Sequence, residues 1–318
     1  MFYIGLDIGG TKCAAVLGEQ KNEEMTIIKK VRFDTYPNTP KQLIEKFDAF
    51  IAEVAGNHKI QGIGISCGGP LDSGAGVILS PPNLPGWNDI EIVSHFKNKW
   101  NINTYLQNDA NACAVAEWKF GAGKGYENVV FLTFGTGLGA GLILNGRLYS
   151  GSSDMAGEAG HIRLTKSGPV GYGKPGSFEG YCSGGGIAQL GKAAVEKQLK
   201  NGSEPLLFRK AGRDMNKITA KLIGDLAESG DGFSKKIYAE CGKKLGEGLS
   251  IIIDILNPQL IIMGSIYTRS EALLKAHALK VIEKETLIYS RSACRLAVSA
   301  LGEQIGDIAA LSVATGLF

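Results

Sequence analysis

A strand, a turn of glycine and threonine, and a returning strand occur twice in this chain, and this repeat constrains the fold more than any other feature. The first copy covers residues 3–17 around the turn GGT, and the second covers residues 129–144 around the turn GTGLG. In both copies short apolar segments flank the turn, a pattern typical of an antiparallel hairpin. The repeat predicts an internal duplication of one supersecondary unit.

The two turns are candidate phosphate-binding loops. Glycine-rich turns expose backbone N–H groups that can surround phosphate oxygens, because glycine tolerates close approach and positive φ. A dinucleotide fingerprint or a P-loop needs its glycines between a strand and a helix, whereas each turn here returns into a strand. One such turn usually only connects strands, so the prediction depends on the matched pair. The candidate residues are Gly9, Gly10, Thr11, Lys12, Gly135, Thr136 and Gly137.

Two aspartates lie at predicted strand ends. Asp7 comes directly before the first turn, where a phosphate-bound Mg²⁺ would need a carboxylate. Its alternative role is to start the turn by bonding to nearby backbone. Asp109 follows Asn108 where a strand gives way to a helix. Taken alone, an aspartate there most often caps the helix, but a carboxylate beside an alcohol can also accept its proton during phosphoryl transfer.

Strands and helices alternate over the rest of the chain, which predicts an α/β fold. The 318 residues exceed the usual size of one domain, so we expect two domains, and small ligands usually bind in the cleft between domains. Strands are predicted at residues 25–33, 60–66, 104–107, 260–263 and 296–298. Helices are predicted near 90–100, 109–120, 232–256 and 303–315, and a further helix is predicted to start around residue 39.

Composition limits the expected partners and compartment. Lys and Arg total 34 against 31 Asp and Glu, a net charge of +3 without a basic block, so nucleic acid is not expected as a partner. The six cysteines are widely separated and form no CxxC pair, which favours a reduced, cytoplasmic chain. The N-terminus lacks a signal-peptide pattern and no apolar run reaches membrane-spanning length. We therefore expect a cytoplasmic protein that is not inserted in a membrane.

Five motifs, in order along the chain, resemble the signatures of the ROK family (repressor, open reading frame, kinase). They are DIGGTK at 7–12, NLPGW at 83–87, NDAN at 108–111, GTGLG at 135–139 and EAGH at 158–161. The resemblance implies the actin-like ATPase (ribonuclease H-like) fold, duplicated, with two α/β domains and an interdomain cleft. The smaller domain would comprise residues 1–120 with the C-terminal helix 303–318, and the larger domain residues 121–302.

The resemblance also implies an activity, namely ATP-dependent phosphorylation of a hexose at its 6-hydroxyl group, as in a glucokinase. ATP and Mg²⁺ would be the cofactors, with Asp7 near the metal through phosphate or water. Asp109 would be the catalytic base, and Gly264 and Ser265 would lie near the adenosine. A homodimer or homotetramer is implied as well.

A sugar site collects amides, carboxylates and histidine, because sugar hydroxyls both donate and accept hydrogen bonds. Read without the motifs, the glutamates here would be exposed loop charges and the histidine a structural one. The resemblance places the following residues at the sugar: Gly69, Asn83, Asn108, Asp109, Glu158, His161 and Glu179.

One segment departs from the family pattern. Many members bind a structural zinc with a histidine and the cysteines of a CxCGxxGCxE segment, and His161 would be that histidine. Here Val170, Tyr172 and Ser177 stand where the cysteines would be. We therefore predict no zinc, a His161 that is free to bind sugar, and a loop 166–182 held by other means. Tyr172, Phe178 and Tyr181 are the candidates for packing this loop.

The sequence argues against three other functions. ROK repressors carry a DNA-binding domain ahead of the sugar-binding body, and the first turn at residue 7 is expected to leave no room for one. A sugar-binding regulator without catalysis would lose the base or a loop, whereas both are present. Other actin-like ATPases lack the sugar-side residues. For a kinase, the sugar acceptor stays open: it is glucose, an N-acylhexosamine, fructose or another sugar. The phosphoryl donor, ATP or polyphosphate, also stays open.

Overall fold

The structure is a computed structural model that describes all 318 residues. Its strands are β1 (Phe2–Ile8), β2 (Lys12–Lys21), β3 (Glu24–Asp34), β4 (Ile60–Cys67), β5 (Leu71–Asp72), β6 (Val77–Ile78), β7 (Thr104–Asn108), β8 (Val129–Leu132), β9 (Ala140–Leu144), β10 (Arg147–Leu148), β11 (Val170–Gly171), β12 (Lys174–Pro175), β13 (Leu260–Met263) and β14 (Arg295–Val298). Its helices are α1 (Pro40–Ala55), α2 (Ile92–Trp100), α3 (Asp109–Phe120), α4 (Phe178–Tyr181), α5 (Gly184–Lys200), α6 (Leu206–Lys210), α7 (Ala220–Glu228), α8 (Gly232–Leu256), α9 (Ile266–Glu285), α10 (Ile288–Ala293) and α11 (Ile305–Ala314).

Two five-stranded sheets share one strand order. The first runs β3-β2-β1-β4-β7, with β1, β2 and β3 antiparallel and with β4 and β7 parallel to β1. The second runs β10-β9-β8-β13-β14, with β9 and β10 antiparallel and β13 and β14 parallel. Each sheet is a three-strand meander extended by two further strands, and the predicted duplication is confirmed.

The local signals of the sequence account for the element boundaries. Thr39 caps α1, with reciprocal bonding to Gln42, and Pro40 occupies the first turn as expected. Asn145 and Gly146 both have positive φ, at 52° and 69°, as the two-residue hairpin between β9 and β10 requires. Asn257 ends α8 in the left-handed conformation before Pro258.

The C-terminal helix α11 lies against the first sheet over a floor of glycines. A Cβ at Gly5 would lie 2.8 Å from the Leu311 amide nitrogen, and a Cβ at Gly64 would come well within 3.0 Å of the α11 backbone. Leu311 and Ile308 are fully buried there. This packing matches the return of the last helix to the first domain that the family resemblance implied.

The chain forms two compact units. The first comprises residues 1–131, 141–157 and 300–318, and the second comprises residues 132–140 and 158–299. The predicted domain limits, 1–120 with 303–318 and 121–302, stay a prediction. None of the helices combines the length and apolar character that crossing a membrane requires.

Asp48 joins α1 to α2 inside the first unit. Its buried carboxylate accepts hydrogen bonds from Lys99 Nζ at 2.8 Å and Trp100 Nε1 at 2.7 Å, and lies 3.0 Å from His95 Nε2. Burial alone would raise the pKa of Asp48, but these three partners outweigh it and hold the pKa below its ordinary value. The stabilising effect of this charge is therefore present above pH ~4 and is lost as pH falls through the lowered pKa.

Asp48→Asn is expected to lower the free energy of unfolding by about 2 kcal/mol at pH 7, because the bonds to a charged acceptor are lost or weakened. The difference from the unmodified protein should shrink below pH 4. Urea unfolding at several pH values measures both effects. Asp225→Asn is the control, since its exposed pair with Lys221 is worth less than about 0.5 kcal/mol. Equal losses in the two variants would contradict the assigned role.

Candidate active site

The first glycine turn presents two consecutive unpaired amides. Gly9 N–H bonds within the turn to the Lys12 carbonyl oxygen at 3.2 Å. The N–H groups of Gly10 and Thr11 make no hydrogen bond within the first unit, and the Lys12 side chain is exposed beside them. Successive free amides form an anion-binding concavity. The turn therefore has the geometry that the phosphate-loop prediction requires.

The strand register brings the predicted residues of the first unit to one edge of its sheet. The strands β1, β4 and β7 are parallel, with Asp7 opposite Ser66 and Cys67 opposite Asn108. Their carboxyl ends therefore lie side by side. Gly69 follows β4 at this edge, and a Cβ on it would lie 3.2 Å from the side-chain nitrogen Nδ2 of Asn108.

The NLPGW loop reaches the same edge. A Cβ at Gly10 would lie 2.8 Å from the Asn83 carbonyl oxygen, so this loop lies against the first glycine turn. Leu84 and Trp87 are buried and anchor the loop, while the Asn83 side chain stays exposed. Asn83 is thus free to bind a ligand that occupies this edge.

Asp109 opens α3, but its neighbour provides the cap. Asn108 has extended backbone and its side chain accepts the Ala110 N–H at 3.0 Å, which makes Asn108 the N-cap residue. Asp109 also accepts this N–H, at 2.8 Å. Its carboxylate is reached by solvent, yet desolvation by the surrounding protein raises its pKa above the ordinary value against the opposing backbone bonds. An accessible carboxylate with a raised pKa is suited to general base chemistry.

Asp7 lies in an acidic environment at the end of β1. Burial, followed by the charges of Asp109 and Asp307, raises the pKa of Asp7 to about 7, although Lys30 opposes this shift. Lys30 itself forms an ion pair with Asp307. The ionised carboxylate is therefore costly in the ligand-free protein, and a bound cation would relieve that cost.

Asp7→Asn is expected to stabilise the ligand-free protein at pH 8 and to leave it unchanged at pH 4. A carboxyl group with a raised folded pKa destabilises the native state as pH rises from its unfolded value of 3.8 to about 7. The shift sets an upper limit of about 4 kcal/mol. Urea unfolding without nucleotide or Mg²⁺ at the two pH values measures it. A variant that is less stable at pH 8 would contradict this electrostatic account.

The second glycine turn repeats the arrangement of the first. Gly135 N–H bonds to the Gly137 carbonyl oxygen at 3.0 Å, and Leu138 N–H bonds to Glu179 Oε2 at 3.0 Å. The N–H groups of Thr136 and Gly137 have no acceptor within the second unit. A Cβ at Gly137 would lie 2.7 Å from Glu179 Oε2. Glu179, predicted to bind sugar, therefore also shapes this loop.

The residues predicted near the adenosine flank the second turn. Gly264 is buried at the end of β13, and Ser265 follows it with φ at 57° at the start of α9. A Cβ at Gly135 would lie 3.4 Å from Ser265 Oγ. The Gly135 carbonyl oxygen accepts the N–H of Gly184, which begins α5, at 2.8 Å. The structure thus brings Gly264 and Ser265 beside the second glycine turn.

The EAGH segment lies beside the same turn. A short 3₁₀ helix spans Ala159–His161, and the buried Gly160 leaves room for the Leu138 carbonyl oxygen and for Glu179. The Glu158 and His161 side chains are exposed. The second unit therefore gathers Glu158, His161 and Glu179 around residues 135–138.

The loop 166–182 is held by hydrogen bonds and by one buried aromatic ring. Gln189 bonds to both the N–H and the carbonyl oxygen of Val170, at 2.8 and 2.9 Å, and Tyr181 OH lies 3.0 Å from Thr165 Oγ1. Phe178 is fully buried. Tyr172 is 75% exposed, so its predicted packing role is wrong, because it occupies the tip of the β11–β12 hairpin with positive φ.

The donor sets fit one predicted metal and not the other. Asp7 supplies a hard oxygen ligand beside the unpaired amides of the first turn, which suits Mg²⁺ in contact with phosphate. The side chains of Val170 and Tyr172 offer no thiolate, and Ser177 is buried and bonded to Gly180 N–H, so this segment does not fit the family zinc.

Sequence reasoning missed Thr35 and Glu117. Thr35 follows β3 and bonds to the first glycine turn. Glu117 is buried on α3 and accepts the N–H groups of Ala122, Ala300 and Leu301, so it fixes the segment that leads into α11. Neither residue belongs to a motif. A charged residue among the apolar residues of α3 was the only signal for Glu117, and Thr35 had none.

Comparison with known proteins gives a consistent result. A sequence profile described as the ROK family matches residues 3–316. A glucokinase of Thermotoga maritima is 30% identical, over 85% of this chain and 84% of that protein. A xylose repressor of Bacillus spizizenii is also 30% identical, over 82% of this chain and 63% of the repressor. The structure of a ROK family glucokinase from Streptomyces griseus with glucose and AMPPNP is 27% identical, with a TM-score of 0.78 over 99% of this chain and 100% of that one. The predicted actin-like ATPase fold is confirmed.

Proposed function

The chain belongs to the ROK family, and from this premise we propose that it is a kinase that transfers the γ-phosphoryl group of ATP to the 6-hydroxyl group of a hexose. The observation that carries the proposal is Asp109, an accessible carboxylate with a raised pKa at the carboxyl edge of the first sheet. Asn108 is the N-cap residue, so the start of α3 does not depend on Asp109 alone.

In the proposed reaction the sugar oxygen forms a bond to the γ-phosphorus as the bond to the β,γ-bridging oxygen breaks. The hydroxyl proton passes to the Asp109 carboxylate, and ADP leaves with the electrons of the broken bond. A base with a raised pKa accepts this proton more readily than an ordinary aspartate does.

The phosphate chain is assigned to the paired amides. Gly10 and Thr11 in the first unit, and Thr136 and Gly137 in the second, offer donors whose hydrogen bonds are unmade in the ligand-free protein. Bound Mg²⁺ would neutralise charge on the transferring phosphoryl group, and Asp7 is the residue that would hold it. Gly264 and Ser265 are proposed to contact the adenosine.

The sugar is assigned to residues that are exposed or partly buried. Gly69, Asn83 and Asn108 lie at the edge that carries Asp109, and Glu158, His161 and Glu179 surround the second turn in its own unit. The Streptomyces griseus relative binds glucose and AMPPNP, which supports glucose as the first acceptor and ATP as the first donor to test.

A coupled ADP-release assay across a sugar panel tests the proposal. The panel contains glucose, mannose, fructose, N-acetylglucosamine and N-acetylmannosamine, and polyphosphate replaces ATP in a parallel series read by sugar phosphate formation. We expect turnover of glucose with ATP and Mg²⁺, and product with the phosphate on O6 by ³¹P–¹H NMR. Sugar binding without turnover in every pairing would instead support a regulator, a role consistent with the similarity to a xylose repressor.

A further inference from the structure

We propose that Thr35 is a positioning residue for the first phosphate loop. This inference rests on the proposed function, since it treats residues 9–12 as the loop that binds nucleotide. Thr35 follows the last residue of β3 and is 3% exposed. It lies outside every motif of the sequence and does not belong to the loop that it contacts.

Thr35 holds the loop at two points. Its hydroxyl group donates to the Gly9 carbonyl oxygen at 2.6 Å, and its backbone N–H donates to the Thr11 carbonyl oxygen at 3.0 Å. The two contacts bracket Gly10. The first contact fixes the peptide unit that carries the Gly10 N–H, and the second fixes the peptide unit that follows Thr11, so the two unpaired amides lie on a segment held at both ends.

The Gly9 carbonyl group held by Thr35 determines where the Gly10 amide points. The Gly9 carbonyl and the Gly10 N–H belong to one planar peptide unit, so a bond that fixes the carbonyl oxygen also fixes the opposite N–H. A glycine peptide without this bond rotates readily, because glycine populates many φ and ψ values. Thr35 thus reduces the ordering cost when phosphate binds, which is how preorganisation increases affinity.

Cys13 provides a second support for the Thr35 hydroxyl group. Cys13 Sγ lies 3.4 Å from Thr35 Oγ1 and 3.9 Å from the Gly9 carbonyl oxygen, and Cys13 is fully buried. The Thr35 hydroxyl hydrogen is directed to Gly9, so in a hydrogen bond between Cys13 and Thr35 the thiol is the donor. The hydroxyl group is thereby fixed in one orientation.

The second turn contains a comparable device. Thr133, at the end of β8, accepts the Gly139 N–H through its hydroxyl group at 3.0 Å. Each glycine turn is thus tied to a threonine hydroxyl group supplied from a strand end. The two threonines are not equivalent positions of the duplication, because Thr35 follows β3 whereas Thr133 follows β8, which corresponds to β1.

Thr35→Val tests the inference, because valine keeps the shape of the side chain and the backbone N–H bond but removes the hydroxyl donor. We expect the Kd for AMPPNP with Mg²⁺ and the KM for ATP to rise about tenfold, which corresponds to one lost hydrogen bond. The KM for sugar should change less than about twofold. Thr35→Ser retains the hydroxyl group and should restore both nucleotide constants to within about twofold of the unmodified protein.

Thr104→Val is the matched control. Thr104 is also buried in the first unit and donates to a backbone carbonyl oxygen, that of Ile102 at 3.1 Å, but it lies at the amino end of β7. Its loss should affect stability while leaving nucleotide affinity unchanged. The inference would be overturned if Thr35→Val and Thr104→Val had the same nucleotide affinity, whether that affinity is lowered in both variants or unchanged in both.

A measurement on the unmodified protein keeps the test open if Thr35→Val fails to fold. Hydrogen exchange of the Thr35 amide reports directly on its bond to Thr11, and AMPPNP with Mg²⁺ should slow this exchange about tenfold or more. Unchanged exchange at saturating AMPPNP would overturn the inference.

If the unmodified protein phosphorylates no sugar but its AMPPNP affinity still depends on Thr35, the proposed function fails and the positioning role stands. If it phosphorylates sugar and Thr35→Val binds AMPPNP normally, only the positioning role fails.

Discussion

Asp109→Asn is expected to lower the turnover number about 10³-fold, within the range that a positioned general base contributes. The asparagine side chain cannot accept the sugar proton as the phosphoryl group transfers. The fold should persist because Asn108 remains the cap of α3 and the lost charge was disfavoured by desolvation. Steady-state kinetics, together with sugar binding measured by calorimetry, separates loss of chemistry from loss of binding.

The control for this variant is Asp231→Asn. Asp231 also lies at the start of a helix and accepts an N–H, that of Ser234 at 2.8 Å, and asparagine caps a helix as well as aspartate does. Turnover in Asp231→Asn should stay within about twofold of the unmodified protein. Near-normal turnover in Asp109→Asn would show that Asp109 is not the base.

Gly64→Ala is expected to lower the free energy of unfolding by at least about 3 kcal/mol, at the upper end of the cost of overpacking. Gly64 lies in β4 under α11, where a Cβ would come well within 3.0 Å of the Ala310 carbonyl oxygen and the Ala314 nitrogen. Both obstacles are backbone atoms, so no side-chain rotation relieves the overlap and the helix has to shift. Urea unfolding measures the loss.

Gly56→Ala is the matched control for this substitution. Gly56 ends α1 with φ at −65°, and a Cβ on it would meet nothing closer than the Ala52 carbonyl oxygen at 4.0 Å. Alanine should therefore leave stability unchanged or raise it by up to about 1 kcal/mol, since it restricts the unfolded chain more than glycine does. A loss in Gly64→Ala that does not exceed the effect at Gly56 would show that α11 does not depend on close approach at this glycine.

Most elements were predictable because their signals are local. Capping by Thr39, the Asn145-Gly146 hairpin and the stop at Asn257-Pro258 each depend on the φ and ψ preferences of a few adjacent residues. The α8 helix spans Gly232–Leu256, as its apolar periodicity predicted. Tyr172 was placed wrongly because an aromatic side chain signals packing only when the backbone directs it inward, and a hairpin tip does not.

By itself, the sequence determined the duplicated hairpins, the α/β class and the family, because glycine turns, periodicity and ordered motifs are all written in neighbouring residues. Only the tertiary structure decided that Asn108 and not Asp109 caps α3, that Thr35 holds the Gly9 carbonyl group, and that Glu179 shapes the second turn. The two loop contacts join residues that lie 26 and 41 positions apart in the sequence. Such pairs depend on strand register and on how the chain crosses itself, which no local preference encodes. The cap of α3 depends on a choice between two adjacent side chains, and only their backbone angles resolve it.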